Sequence, residues 1–140
     1  MSIVIETMTK SFGGTSVLRG IDLTVESGEL VALLGPSGSG KTTLLKIIAG
    51  LEWPDAGRLV VNGADWLNLA AQDRRIGFVF QHYALFPHMT VRDNIAFGLS
   101  VLPRSDRPAK AQIASTVDGL LSFLQIEGLA DRYPAELSGG

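Results

Sequence analysis

The sequence predicts one α/β domain in which a strand-rich half precedes a helical half. Three observations predict it. Apolar residues alternate loosely through residues 2–26, as in strands that pair through a turn. A continuous apolar run at 30–34 leads into a glycine-rich stretch and then into an apolar, helix-forming segment. From about residue 86 the apolar residues follow helical spacing instead.

The strand-rich half, residues 1–85, is predicted to contain six elements. They are two strands within 2–26 joined by a turn at 12–15, a strand at 30–34, a helix at 41–49, and strands at 58–61 and 75–80. The run at 30–34 is apolar throughout, which is typical of a strand covered on both faces. Gly50 is a suitable end for the helix, and Asn62-Gly63 predicts a tight turn.

The helical half, residues 86–140, is predicted to contain two helices. Thr90 caps a short helix that runs through Phe97. A second helix begins near Ala109 and presents one apolar face, made of Ile113, Val117, Leu120, Leu121 and Leu124. The chain stops at Gly140, directly after a loop-like segment. We therefore expect residues 1–140 to be the N-terminal part of a longer domain.

Composition excludes several kinds of site. The formal net charge is -2, unlike the basic balance of a nucleic-acid-binding protein, so no nucleic-acid partner is expected. The absence of cysteine excludes disulfides and cysteine nucleophiles. No apolar run approaches the roughly 20 residues that cross a bilayer, and the N-terminus lacks a signal-peptide pattern. We expect a soluble cytoplasmic domain, with Arg74 and Arg75 on its solvated surface.

A glycine-rich segment gives the strongest chemical signal. It matches G-x-x-x-x-G-K-[ST] in full and reads Gly35-Pro36-Ser37-Gly38-Ser39-Gly40-Lys41-Thr42, followed by Thr43. Its backbone N–H groups and the following helix N-terminus suit phosphate oxygens. Lys41 is expected on the β- and γ-phosphates, and the Thr42 hydroxyl on Mg²⁺. The segment therefore predicts a P-loop that binds ATP with Mg²⁺.

Three further segments resemble motifs of the ATP-binding cassette (ABC) ATPases. Ser11-Phe12-Gly13 resembles their A-loop, residues 78–99 resemble their Q-loop region, and Leu137-Ser138-Gly139-Gly140 resembles the start of their LSGGQ signature. The resemblance covers the whole chain. It implies a P-loop NTPase core of the ABC type with an N-terminal antiparallel β-subdomain and a partial helical subdomain.

The resemblance also implies roles around the nucleotide. Phe12 would stack on the adenine ring, with Val17 packing beside it. Gln81 would approach Mg²⁺ and the attacking water, which makes it the second expected catalytic residue beside Lys41. Phe12 is also consistent with a core position, and Gln81 with an exposed polar residue at the end of a strand.

Partners follow from the same resemblance. Ser138, Gly139 and Gly140 would bind the ATP of the opposite subunit in a head-to-tail homodimer. The stretch from Tyr83 to Met89 would contact transmembrane permease subunits, which places the protein peripherally on the cytoplasmic face of the membrane. Residues 81–86, 95–99 and 101–104 are similar to the ATP-binding subunits of bacterial sulfate/thiosulfate importers.

The sequence also departs from the family pattern. The 140 residues contain no segment resembling the family's later strand with the magnesium-site Asp and the catalytic Glu, nor its switch His. We expect these residues alone to hydrolyse ATP poorly. Two alternatives to a transport ATPase stay open at this point, a soluble ABC protein without a membrane partner and an ATP-binding fragment without turnover.

Overall fold

The computed structural model of the chain describes residues 1–81 and 85–137. The chain divides into two compact units, Met1–Phe78 and Val79–Gly140. Each unit has its own cluster of buried apolar side chains. None of the helices in the described ranges has the length and apolar character that a membrane span requires.

The first unit contains an antiparallel sheet of four strands in the order β2-β1-β3-β4. The strands are β1 (Ile3–Phe12), β2 (Thr15–Val25), β3 (Ala56–Val61) and β4 (Ala64–Asp65). Gly13 and Gly14 join β1 to β2 with φ angles of 55° and 84°. Positive φ at both central residues is what a type I′ turn requires, and this turn matches the twist of the paired strands. The predicted hairpin is confirmed.

A bulge interrupts the alternation of side chains along β1. The register with β2 shifts between Ile5 and Met8, and Thr7 has a φ of 46°. Residues three positions apart face opposite sides of a regular strand, yet Ile5 and Met8 are both buried. An extra residue in the strand returns them to one face. The loose alternation in the sequence therefore reflects a bulge.

One helix packs against the sheet of the first unit. Helix α1 (Lys41–Ala49) begins directly after the glycine-rich segment and buries Leu44 and Ile47. The cluster around them also contains Ile5, Met8, Leu18, Leu59 and Val61. Gly50 ends the helix with a φ of 75°, and its N–H donates to the carbonyl of Ile47. The predicted helix and its C-terminal stop are confirmed.

The prediction that Arg74 lies on the solvated surface is wrong. Arg74 follows a short 3₁₀ helix (Ala71–Asp73) and is only 4% exposed. Its guanidinium donates to the carbonyls of Ile47 at 2.7 Å, Ile48 at 2.9 Å and Leu69 at 3.0 Å. Burial lowers the pKa of Arg74, but an arginine stays charged at neutral pH. The cation therefore closes the carbonyl end of α1, where the helix dipole favours it.

The predicted strands at 30–34 and 75–80 are also wrong. Neither segment belongs to a strand among the described residues, and Leu30 and Leu34 are 98% and 91% exposed. An apolar run indicates side chains that favour burial, but a strand also needs neighbouring strands to take up its backbone groups. The sheet of the first unit is formed by other strands. An apolar pattern alone was therefore not enough to predict strands at 30–34 and 75–80.

The second unit is helical. Helix α2 (Val91–Ser100) begins at Thr90, whose hydroxyl accepts from the backbone N–H of Asp93, so the predicted cap is confirmed. Helix α3 spans Lys110–Phe123, and two 3₁₀ helices follow at Glu127–Leu129 and Pro134–Glu136.

The apolar face predicted for α3 is correct only in part. Val117 and Leu121 are buried, whereas Leu120 and Leu124 are 43% and 55% exposed. Val117 and Leu121 pack in one cluster with apolar side chains of α2 and with Ala130 and Ile126. This packing covers a narrow stripe of positions i and i+4 rather than a wide face.

Candidate functional site

The glycine-rich segment leads into the N-terminus of α1 without a side-chain cap. Gly40 is the N-cap residue with a φ of 92°, and no acidic residue stands in the first helical turn. The first N–H groups of a helix have no intrahelical acceptor. Because Gly40 has no side chain to supply one, these donors stay available to an anion, and the helix dipole favours its negative charge.

Lys41 is the first residue of α1, and its ammonium folds back over the loop. Its Nζ donates to the carbonyls of Gly35 at 2.8 Å and Pro36 at 2.7 Å, and to Ser39 Oγ at 3.1 Å. These acceptors are neutral, and no carboxylate among the described residues pairs with Lys41. A phosphate oxygen is a stronger acceptor for an ammonium than a neutral carbonyl. The loop thus holds an uncompensated cation beside free backbone donors.

Strand β2 lies directly against the start of α1. A Cβ atom at Gly40 would come within 2.7 Å of a Leu18 methyl carbon and 2.9 Å of the Val17 carbonyl oxygen. Only glycine fits this approach at the positive φ that Gly40 adopts. Val17 is thereby next to the glycine-rich loop, so two members of the predicted nucleotide set, Val17 and Gly40, are in contact.

The rest of the glycine-rich segment is accessible. Gly35, Pro36, Ser37, Gly38, Ser39 and Thr42 are exposed, and Thr43 is half-buried. The Thr42 hydroxyl follows Lys41 in the first turn of α1 and is a hard oxygen donor of the kind that Mg²⁺ prefers. The residues present therefore fit a magnesium–triphosphate group.

Phe12 stands at the end of β1, beside the hairpin turn, and is 46% exposed. This exposure argues against a core position. The ammonium of Lys10 lies 4.9 Å from the centroid of its ring. Sequence reasoning missed Lys10, because the groups that hold its ammonium belong to residues 52–55, more than forty positions away.

An open pocket of about 370 Å³ adjoins the loop. The glycine-rich segment forms one part of its wall, through Gly35, Pro36, Ser39, Gly40 and Lys41. Apolar side chains, among them Leu18, Leu33, Leu34 and Leu44, form most of the rest. The loop and the pocket are therefore parts of one surface of the first unit.

Gln81 and the segment after it lie in the second unit. Gln81 is exposed. Tyr83 lies outside the described residues, as do Ser138, Gly139 and Gly140, so the structure places none of these four. Leu85 and Phe86, from the predicted permease contact, are 51% and 36% exposed.

Asn94 of α2 organises the loop before that helix. Its side-chain amide donates to the carbonyls of Phe86, Met89 and Thr90 and accepts from the backbone N–H of Phe86. The sequence did not single out Asn94, because it does not show which backbone groups the side chain of a helical asparagine will bind.

The profile of a family described as ABC transporter matches residues 18–140. The chain belongs to the ABC transporter family. This membership confirms the resemblance inferred from the A-loop, P-loop, Q-loop and signature segments.

Several curated proteins that are similar to this chain have the same name. The sulfate/thiosulfate import ATP-binding protein CysA of Methylococcus capsulatus is 60% identical over 140 residues, which are 100% of this chain and 40% of that protein. The protein of the same name from Escherichia coli K12 is 62% identical over 140 residues, which are 100% of this chain and 38% of that protein. The ABC chain thus spans about two fifths of the length of these relatives.

Two solved structures similar to this chain are of a dimeric cassette. A bacterial ABC transporter cassette, MJ0796, matches with a TM-score of 0.86 and 29% identity over 98% of this chain and 63% of that one. A post-hydrolysis dimer of MJ0796 bound to ADP and Pi matches with a TM-score of 0.84 and 28% identity over 97% of this chain and 63% of that one. These similarities confirm the predicted fold class.

Proposed function

We propose that the chain is part of the ATP-hydrolysing motor subunit of an ABC importer and that it binds MgATP. The observation that carries the proposal is the P-loop, where an uncapped helix N-terminus and the ammonium of Lys41, whose acceptors among the described residues are neutral, converge on an exposed loop. Residues 1–85 would be the nucleotide-binding core and residues 86–140 the helical subdomain. Membership of the ABC transporter family supports the nucleotide and the coupling to transport.

Each residue of the proposed site has a distinct task. Lys41 would exchange its neutral carbonyl acceptors for the β- and γ-phosphates, and Thr42 would be an oxygen ligand of Mg²⁺. Phe12 would stack on adenine, with Val17 beside it. The help given to phosphoryl transfer would be positional and electrostatic, and Gln81 would contribute at the magnesium and the attacking water.

Binding is tested by calorimetry on the full chain with MgATP. Lys41→Ala should lower the affinity at least several-fold, because it removes a charge-assisted contact worth about 1.5–3 kcal/mol. Lys110→Ala is the matched control, since Lys110 is exposed at the start of α3 and should leave the affinity unchanged. Equal affinity in the Lys41 variant and the unsubstituted protein would contradict the proposal.

Sulfate or thiosulfate is the proposed cargo, supported by the names of relatives that are 60% and 62% identical over the whole chain. Permease subunits would dock through the stretch from Tyr83 to Met89, on the cytoplasmic face of the membrane. The test is uptake of labelled sulfate by E. coli that lacks its own import ATP-binding protein and carries the full-length protein instead. If the cells take up a different solute but neither sulfate nor thiosulfate, the proposed cargo is wrong.

The partner subunit would be a second copy that supplies its signature to the first copy's ATP. The dimeric state of MJ0796 in two structures supports the proposal. In a mixed dimer of Lys41→Ala and Ser138→Arg subunits, both lesions would fall on one composite site and the other site would still close on ATP. A mixed dimer that shows no ATP-dependent closure at either site would count against this arrangement.

A further inference from the structure

Lys10 is held in place by three oxygen-bearing groups from one turn. Its ammonium donates to the backbone carbonyl of Trp53 at 2.7 Å, lies 2.8 Å from Glu52 Oε1 and 3.7 Å from Asp55 Oδ1. Only 13% of its side chain is exposed. A lysine side chain is flexible when it is free, so this set of acceptors fixes where its charge stands.

The same turn also fixes the backbone on both sides of Lys10. The Ser11 N–H donates to Asp55 Oδ2 at 2.7 Å, and the Asp55 N–H donates to the Thr9 carbonyl at 2.9 Å. The end of β1 is thereby tied to residues 52–55 through backbone and side chain together. Lys10 and Phe12 are two positions apart on this tied segment, and their side chains lie next to each other.

The fixed ammonium lies 4.9 Å from the centroid of the Phe12 ring. At this distance a cation is attracted by the negative π face and restricts the ring to orientations that keep the contact. Since the cation occupies one face, a base can stack only on the other. The cation also draws π density to its own side, which makes the opposite face less repulsive to the π face of a stacked purine.

We propose that Lys10 is a positioning residue for recognition of the adenine base, because it fixes the Phe12 ring from the face opposite to the base. The inference rests on the proposed stacking of adenine on Phe12. The Lys10 ammonium would thus strengthen recognition of adenine without itself touching the nucleotide.

The test compares MgATP with magnesium inorganic triphosphate, which has no base, by calorimetry on the full chain. Lys10→Met keeps most of the length of the side chain and removes its charge, and it should weaken ATP binding about three- to tenfold while triphosphate affinity stays unchanged. Lys10→Arg restores the cation and should recover most of the ATP affinity. Lys110→Met, an exposed lysine of the second unit, should affect neither ligand.

A double-mutant cycle separates positioning from a merely structural role. In a Phe12→Ala background the Lys10→Met change should no longer affect ATP affinity, because the ring it positions is absent. An equal loss of ATP and triphosphate affinity in Lys10→Met, or a loss of ATP affinity that persists without Phe12, would overturn the inference. So would an unchanged ATP affinity.

The outcomes also separate this inference from the proposed function. If Phe12→Ala leaves ATP affinity unchanged, the stacking role itself fails and the inference about Lys10 fails with it. If Phe12→Ala weakens ATP binding but Lys10→Met does not, only the inference fails. If Lys41→Ala has no effect on triphosphate, the P-loop proposal fails independently of both.

Discussion

At the start of α1, Lys41 donates to the carbonyls of Gly35 and Pro36 in an exposed loop, whereas after its last turn Arg74 donates to the carbonyls of Ile47 and Ile48 in a buried position. Both ends therefore place a cation on neutral backbone oxygens. The first cation is a compact ammonium on a long aliphatic side chain, and the second is a rigid planar guanidinium with several donors.

The difference between the two ends separates binding from anchoring. The exchange of acceptors proposed for Lys41 requires a cation that a ligand can reach and that only neutral oxygens hold. A cation that must hold a helix end can be buried, because each of its hydrogen bonds replaces water that is absent there. Ligand affinity and folding stability should therefore respond to different ends of the same helix.

The largest expected effect is at the buried end. Arg74→Ala leaves the carbonyls of Ile48 and Leu69 without their guanidinium donor and opens a cavity, so the free energy of unfolding should fall by about 2–4 kcal/mol. Urea unfolding, followed by tryptophan fluorescence, gives the value. Arg19, an exposed arginine of β2, supplies the control, since Arg19→Ala should change it by less than about 0.5 kcal/mol.

The same urea unfolding experiment on Lys41→Ala tests whether the two ends of α1 differ in their contribution to stability. The exposed end should contribute little to folding, so this variant should unfold within about 0.5 kcal/mol of the unsubstituted protein while it loses nucleotide affinity. A loss of stability as large as that of Arg74→Ala would show that Lys41 is also an anchor, and the distinction between the two ends would be lost.

The next effect concerns Gly40, which joins the loop to the exposed end. Gly40→Ala places a methyl group 2.7 Å from a Leu18 side-chain carbon and 2.9 Å from the Val17 carbonyl, at a φ of 92°. We expect a loss of about 1–3 kcal/mol of stability together with weaker MgATP binding. Gly119→Ala in the interior of α3 meets no neighbouring atom and should stabilise by about 0.5–1 kcal/mol, which controls for the general effect of replacing glycine.

The smallest effect is a pH dependence just beyond the buried end. Glu52 accepts from Lys10, and this hydrogen bond lowers the pKa of Glu52 below its ordinary value of 4.5. A lowered folded-state pKa gives stability that is present above pH 4.5 and is lost as the pH falls through the lowered value. At neutral pH the Glu52→Gln variant should therefore unfold at a lower urea concentration than the unsubstituted protein. The difference between their urea midpoints should disappear in acid. A difference that does not change with pH would exclude the ion pair as its cause.

The features that depend on neighbouring residues were predictable from the sequence. The turn at Gly13 and Gly14, the glycine-rich loop before helix α1, the helix with its stop at Gly50, and the Thr90 cap were all predicted where the structure has them. Each depends on backbone conformation or on hydrogen bonds within a few positions of the chain. The family resemblance depended on such local segments as well.

Tertiary structure alone decided the features that depend on distant partners. The apolar run at 30–34 is not a strand, Arg74 is buried although it stands in a polar stretch, and Leu120 is exposed although it lies on an apolar helix face. Lys10 gained its place through residues 52–55, more than forty positions away. A local pattern states what a side chain prefers, but burial and pairing are set by which remote groups arrive beside it, and no window of sequence contains them.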